Sequence, residues 1–166
     1  MMDIPFFIAA AVAVLATLRA ITHLHIVHAL LYLIVSFMAV AVVLYLMGAP
    51  FIAALEVIIY AGAIMVLFVF VVMMLNQGAR EVEQEQRWVP RGIWLGPSLL
   101  SAFLLAEVIY LLWSGAQSTG HAEVGPREVG LALYGPYVLA VELGSLLLLP
   151  GIIGAYHLGR REWRDR

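Results

Sequence analysis

The chain has 166 residues, of which 64% are hydrophobic and 12% charged, with a net charge of -2. Charged residues are about twice as frequent in soluble domains, so this composition excludes an ordinary soluble domain and indicates a polytopic α-helical membrane protein. The small net charge gives no reason to expect a nucleic-acid partner. The absence of cysteine excludes disulfides, cysteine-ligated iron–sulfur clusters and thiolate chemistry.

Five apolar segments predict an all-α fold with five transmembrane helices in a single membrane domain, residues 1–166, because each approaches the roughly 20 residues that cross a bilayer. The first residues carry no positive charge, so we expect no cleaved signal peptide. The predicted helices cover about residues 4–21, 27–47, 51–75, 93–113 and 136–158. The remaining residues are predicted to form a cytoplasmic loop at 76–92, an extracytoplasmic loop at 114–135 and a cytoplasmic tail at 159–166.

The arginines predict the orientation of the chain. Five spans place the termini on opposite sides of the membrane, and of the nine arginines only Arg127 falls on the side of the N-terminus. The other eight are Arg19, Arg80, Arg87, Arg91, Arg160, Arg161, Arg164 and Arg166. Because basic residues accumulate on the cytoplasmic side, we predict an N-terminus outside and a C-terminus in the cytoplasm.

Three carboxylates lie inside predicted spans: Glu56, Glu107 and Glu142. With the predicted orientation, all three lie roughly 7–10 Å below the extracytoplasmic interface. A charge at the centre of a membrane helix costs about 2.5–3.5 kcal/mol on insertion scales, so each requires an explanation. We interpret them as protonatable relay sites. The alternatives are side chains that extend to the interface or make one buried hydrogen bond.

The third segment adds a phenol and a run of small residues. Tyr60 follows Glu56 at i,i+4 and so lies on the same helical face, where its hydroxyl would extend a proton path. The alternative is that the Tyr60 ring only packs against its neighbours, with its hydroxyl bonded to a backbone carbonyl. The run Ala61-Gly62-Ala63 is compatible with close helix packing or with a π-bulge, which would rotate the rest of the helix by about 100°.

Histidines cluster where the second helix begins, at His23, His25 and His28. Without a nearby carboxylate or cysteine, we interpret them as polar residues at the depth of the lipid headgroups, with a metal site as the alternative. Near the C-terminus, Gly151, Ala155 and Gly159 form a small-residue stripe that favours close packing against another helix.

Two runs of sequence resemble a known family. The run HALLYLIVSFMAVAVVLYLMGAPFIAALEVIIYAGAIMVLFVFVVMMLN resembles the second and third helices of the subunit J family of NADH-quinone oxidoreductase. These are small membrane subunits of respiratory complex I, equivalent to mitochondrial subunit 6. The run YGPYVLAVELGSLLLLPGIIGAYHLGRR resembles the last helix of the family, with Glu142 at its acidic position and Gly154-Ala155 at its glycine–alanine pair.

The resemblance implies a subunit without a redox centre in the cell inner (cytoplasmic) membrane. Expected partners are the quinone-proximal subunit, the small K-type and A-type subunits, the antiporter-like subunits and the lipid bilayer. FMN, iron–sulfur clusters, NADH and quinone are expected in other subunits, with none bound by this chain. The π-bulge known in the third helix of the family corresponds to these residues: Tyr60, Ala61, Gly62, Ala63, Ile64 and Met65.

The resulting hypothesis is a membrane-arm subunit that couples quinone reduction to proton pumping through a deformable third helix. Three alternatives remain open. The chain would be the equivalent subunit of a cation/proton antiporter or membrane-bound hydrogenase, a free-standing small transporter that forms homo-oligomers, or a purely structural spacer whose three glutamates are replaceable by glutamine.

Overall fold

The computed structural model describes residues 4–23, 26–74, 94–114 and 123–159, and the regular structure within these ranges is entirely helical. Five helices are long and apolar enough to cross a membrane. Their bounds are Ile4–Thr22, Ile26–Leu46, Pro50–Met74, Leu95–Trp113 and Val138–Gly159. The prediction of an all-α protein with five membrane-spanning helices is confirmed. The chain divides into two compact units, Met1–Val124 and Gly125–Arg166.

In the first unit, helices α1 (Ile4–Thr22) and α2 (Ile26–Leu46) pack against each other along their lengths. Small and β-branched side chains let the two backbones approach closely. The buried residues of this contact are Ala9, Val12, Ala16, Val35, Ala39 and Val42. Polar contacts also join the pair. The Thr17 hydroxyl donates to the Ala13 carbonyl at 2.8 Å and lies 2.6 Å from the Ser36 hydroxyl, which can donate to it.

The third span, Pro50–Met74, follows a tight turn at Gly48. Gly48 has a φ of 86°, a left-handed conformation that glycine adopts without a steric penalty. The Gly48 and Ala49 amides donate to the carbonyls of Tyr45 and Leu44, which ends α2 as a Schellman motif. The span itself consists of three segments, namely α3 (Pro50–Leu55), a π-helix (Glu56–Ile64) and α4 (Met65–Met74), and it packs against α2.

Helix α5 (Leu95–Ser114) packs against both α1 and α2. Its buried face follows the three- and four-residue spacing of one side of a helix. The residues of this face are Pro97, Leu100, Leu104, Glu107, Val108 and Leu111. At the start of α5, a methyl group on Gly96 would overlap the hydroxyl of Tyr32, so the absence of a side chain there permits the close approach to α2.

The second unit contains α6 (Pro126–Tyr134) and the last span, α7 (Val138–Gly159). Helix α6 lies within residues 114–135, which the sequence predicted to be a loop, and the structure differs from the prediction here. The helix starts with Pro126 in its first turn, a position that proline favours. At its end, a Cβ atom on Gly135 would lie 2.6 Å from the carbonyl oxygen of Leu131, so only glycine fits the turn into α7.

Several predicted features lie outside the described residues. Of the nine arginines, the structure describes Arg19 in the last turn of α1 and Arg127 in α6. The other seven, His25 and the loop at 76–92 fall in ranges that it does not describe. The predicted orientation of the chain in the membrane therefore stays a prediction.

Candidate functional site

The winding of the third span changes partway along its length. At Glu56 the backbone amide donates to the carbonyl of Ile52, four residues earlier, as in an α-helix. At Met65 the amide donates to the carbonyl of Tyr60, five residues earlier, as in a π-helix. The π-helix from Glu56 to Ile64 covers five of the six residues predicted for the bulge and begins four residues earlier than expected.

The π-helix aligns the buried residues at the two ends of the span. Ala53 in α3 and Met65 in α4 are the only buried residues of the third span, with exposed fractions of 6% and 3%. In a regular α-helix, residues twelve positions apart would lie about 120° apart around the axis. One extra residue in a wide turn removes about 100° of that difference. Both side chains therefore lie on one face, and the span packs against α2 from end to end.

Gly62 lies inside the π-helix and has little room for a side chain. A Cβ atom at this position would lie 3.1 Å from the carbonyl oxygen of Val57, five residues earlier. That oxygen is one wide turn away, so the close approach arises within the π winding of this segment. Glycine therefore lowers the cost of the π-helix, and any larger residue would require the Val57 carbonyl to move.

Tyr60 contacts α2 through its ring. The ring centroids of Tyr60 and Phe37 are 5.4 Å apart with an interplanar angle of 47°, and 46% of the Tyr60 residue is exposed. Glu56 lies on the same π-helix and is half-buried. The structure thus places the predicted carboxylate and phenol on one segment, the segment whose winding is irregular.

Glu107 lies elsewhere in the first unit. It is buried in the middle of α5, and its neighbours on the same helical face, Leu104 and Leu111, belong to the hydrophobic core formed with α1 and α2. Glu56 and Glu107 were predicted at a similar depth, but the structure places them in different surroundings: one on the π-helix, the other in this core.

Glu142 belongs to the second unit, where it is exposed on α7. The hydroxyl of Ser145, three residues later, donates to its backbone carbonyl at 2.8 Å. A backbone bond of this kind leaves the carboxylate of Glu142 unaffected. Pro150 lies inside the same helix, which the structure describes as continuous from Val138 to Gly159.

At the start of α2, two of the clustered histidines contact aromatic rings that the sequence-based interpretation did not place beside them. The His23 ring stacks on His28 with centroids 5.4 Å apart, and it lies 5.8 Å from Tyr32. His28 also meets the edge of Trp94 at 5.6 Å and is buried, and its expected position at the depth of the lipid headgroups stays a prediction. Only the folded chain brings Trp94 to this position. Among the described residues, no group of three or more potential ligands is placed to hold a metal.

Comparison with known proteins identifies the family. The sequence matches the family model of NADH-ubiquinone/plastoquinone oxidoreductase chain 6 over residues 16–158. The chain belongs to this family. The match extends from the second half of α1 into the last turn of α7, so it includes the π-helix and all three intramembrane carboxylates.

Relatives in this family are similar over nearly the whole chain. NADH-quinone oxidoreductase subunit J of Pseudomonas aeruginosa is 57% identical over 164 residues, covering 97% of this chain and 98% of the relative. Subunit J of Escherichia coli strain K12 is 52% identical over 162 residues, covering 97% and 88%. Subunit J of Buchnera aphidicola subsp. Schizaphis graminum is 41% identical over 162 residues, covering 97% and 99%.

Proposed function

We propose that this chain is a membrane-arm subunit of a proton-translocating NADH:quinone oxidoreductase in the cell inner (cytoplasmic) membrane. The near full-length similarity to relatives named subunit J supports this role, together with the five apolar helices. The proposed orientation places the N-terminus outside and the C-terminus in the cytoplasm, as the arginine distribution favours.

In this role the chain carries no redox centre of its own. FMN, the iron–sulfur clusters, NADH and quinone are assigned to other subunits, and the lack of cysteine removes the usual cluster ligands from this chain. The proposed neighbours are the quinone-proximal subunit, the small K-type and A-type subunits and the antiporter-like subunits.

The π-helix of the third span is the single observation that carries the proposed mechanism. A π-helix is rare and often marks a functional position. It holds one residue more than α winding of the same length would. Conversion of this segment to α winding would rotate α4 by about 100° relative to α3. Ile64 would then replace Met65 on the buried face against α2.

This rotation provides a two-state element in which proton access changes. Glu56 and Tyr60 lie on the segment that rewinds, so their positions relative to α2 differ between the two windings. We assign Tyr60 to the proton path through its hydroxyl, Glu56 to an auxiliary site and Glu142, on the last span, to a relay site. The quinone reaction would favour one winding and the proton-translocating subunits would sense the other.

Removal of the chain tests the proposed function. Membranes that lack the chain are expected to lose NADH-driven proton translocation, and a plasmid copy should restore it. An affinity-tagged copy should also isolate an assembly that oxidises NADH and reduces quinone. Isolation with antiporter or hydrogenase subunits instead, or as an assembly of identical chains, would reject this function in favour of the corresponding alternative.

Replacing Tyr60 with phenylalanine should distinguish the contribution of the hydroxyl from that of the ring. Tyr60→Phe keeps the ring contact with Phe37, so the amount of assembled complex should be unchanged. Loss of the phenol should lower the number of protons translocated per NADH oxidised. Tyr60→Leu removes ring and hydroxyl together and should affect both assembly and translocation. Unchanged proton translocation in Tyr60→Phe would exclude the hydroxyl from the path.

A further inference from the structure

Glu107 is the most deeply buried carboxylate among the described residues, with 8% of the residue exposed. It lies three residues after Leu104 and four before Leu111, and both leucines are buried in the hydrophobic core of the first unit. This spacing places all three side chains on one face of α5. The carboxyl group therefore points towards α1 and α2.

The two oxygens of this carboxyl group have no hydrogen-bond partner among the described residues. The core around it is built from apolar side chains, and the two hydroxyls between α1 and α2, Thr17 and Ser36, are bonded to each other and to the Ala13 carbonyl. An ionised carboxylate is strongly disfavoured in such surroundings, because no side chain of the described residues pairs with its charge. The neutral acid is much less costly to bury.

Helix α2 separates this carboxyl group from Tyr60. Val35 and Ala39 of α2 belong to the core that encloses Glu107, whereas Phe37 contacts the Tyr60 ring. Residues two positions apart on an α-helix point about 160° apart, so Phe37 projects from the side of α2 opposite to Val35 and Ala39. Glu107 and Tyr60 therefore lie against opposite faces of the same helix.

We propose that Glu107 is a proton-binding site that keeps its proton while the complex works. The carboxyl group is a neutral acid enclosed by α1, α2 and α5, and α2 separates it from the proton path assigned to Tyr60. Glu107 thus differs in role from Glu56 and Glu142, although all three are carboxylates within membrane spans. The proposal rests on the proposed function, a subunit of a proton-translocating complex, but it does not require the rewinding of the third span.

Subtracting the infrared absorption spectrum of the resting Glu107→Gln complex from that of the resting wild-type complex tests the protonation directly. The wild-type spectrum at neutral pH should contain a carbonyl stretching band of a protonated carboxyl group that is missing from Glu107→Gln. The Glu142→Gln complex is the matched control and should keep this band. If the two complexes show no difference at this band, Glu107 is ionised and the proposal is wrong.

Proton translocation tests the second half of the proposal. Glu107→Gln and Glu107→Leu both supply a neutral side chain, so both complexes should assemble and translocate protons at the wild-type ratio to NADH. Leucine also continues the apolar face of α5, which keeps the test valid if the glutamine variant fails to assemble. Glu107→Lys introduces an uncompensated charge and should lower the amount of assembled complex about tenfold or more. Loss of translocation in assembled Glu107→Gln and Glu107→Leu would show that this proton moves and would overturn the proposal.

Discussion

Gly62→Val is expected to lower NADH-driven proton translocation about fivefold while most of the complex still assembles. We expect valine to destabilise the π winding by about 1 kcal/mol, which changes a two-state equilibrium by a factor of about five. A Cβ atom at Gly62 would lie 3.1 Å from the Val57 carbonyl oxygen, and the branched side chain restricts how the backbone can relax. That carbonyl is one π turn away, so valine disfavours π winding more than α winding. Proton uptake or release per NADH in sealed vesicles measures the effect.

Two further variants make the comparison specific. Ala54→Val introduces the same side chain at an exposed position of α3, before the π-helix, and should translocate protons like the wild type. Gly62→Ala should show a smaller defect than Gly62→Val, since it adds the Cβ atom without the branch. Wild-type proton translocation in Gly62→Val would show that the winding of this segment does not limit the reaction.

The sequence predicted the helices well because their signal is local. Length and hydropathy alone define a membrane span, and Gly48 followed by Pro50 ends one helix and starts the next whatever packs around them. Helix α6 escaped prediction for the opposite reason. Its nine residues are too few and too polar to resemble a span, so they were assigned to the extracytoplasmic loop at 114–135.

The position of the π-helix depends on packing and therefore on more than the local sequence. Small residues at 61–63 indicated where a helix can deform, but the wide turns begin at Glu56. Their effect is to bring Ala53 and Met65 onto one face against α2. That requirement arises only when two helices are placed together, so no pattern within the third segment sets the starting residue.

For the carboxylates within the spans, the sequence likewise predicts the depth of a residue but not its surroundings. Sequence position gave Glu56 and Glu107 a similar depth, because depth follows from the number of residues to the end of a span. It gave no information on the direction in which each side chain points. The facing of Glu107 towards α1 and α2 became visible only with the packing of Leu104 and Leu111.

If the third span rewinds, Ile64 takes the buried position that Met65 holds when Glu56–Ile64 is a π-helix. Chemical labelling should detect this change. Met65 is 3% exposed in the described winding and Ile64 is 37% exposed, and α winding would exchange their positions. The chain contains no cysteine, so Ile64→Cys and Met65→Cys each provide a single thiol within it. In the resting complex, N-ethylmaleimide should label position 64 faster than position 65, as measured by the mass of the isolated chain.

During turnover with NADH and quinone, position 65 should become more reactive and position 64 less reactive, because conversion to α winding turns Met65 away from α2. Ile52→Cys is the control: it lies in α3, before the segment that rewinds, so its labelling rate should be the same at rest and in turnover. The opposite changes at two adjacent positions distinguish rotation from a general loosening of the complex, which would raise both rates. Equal ratios at rest and in turnover would mean that the π-helix is permanent, and proton access would then require another moving element.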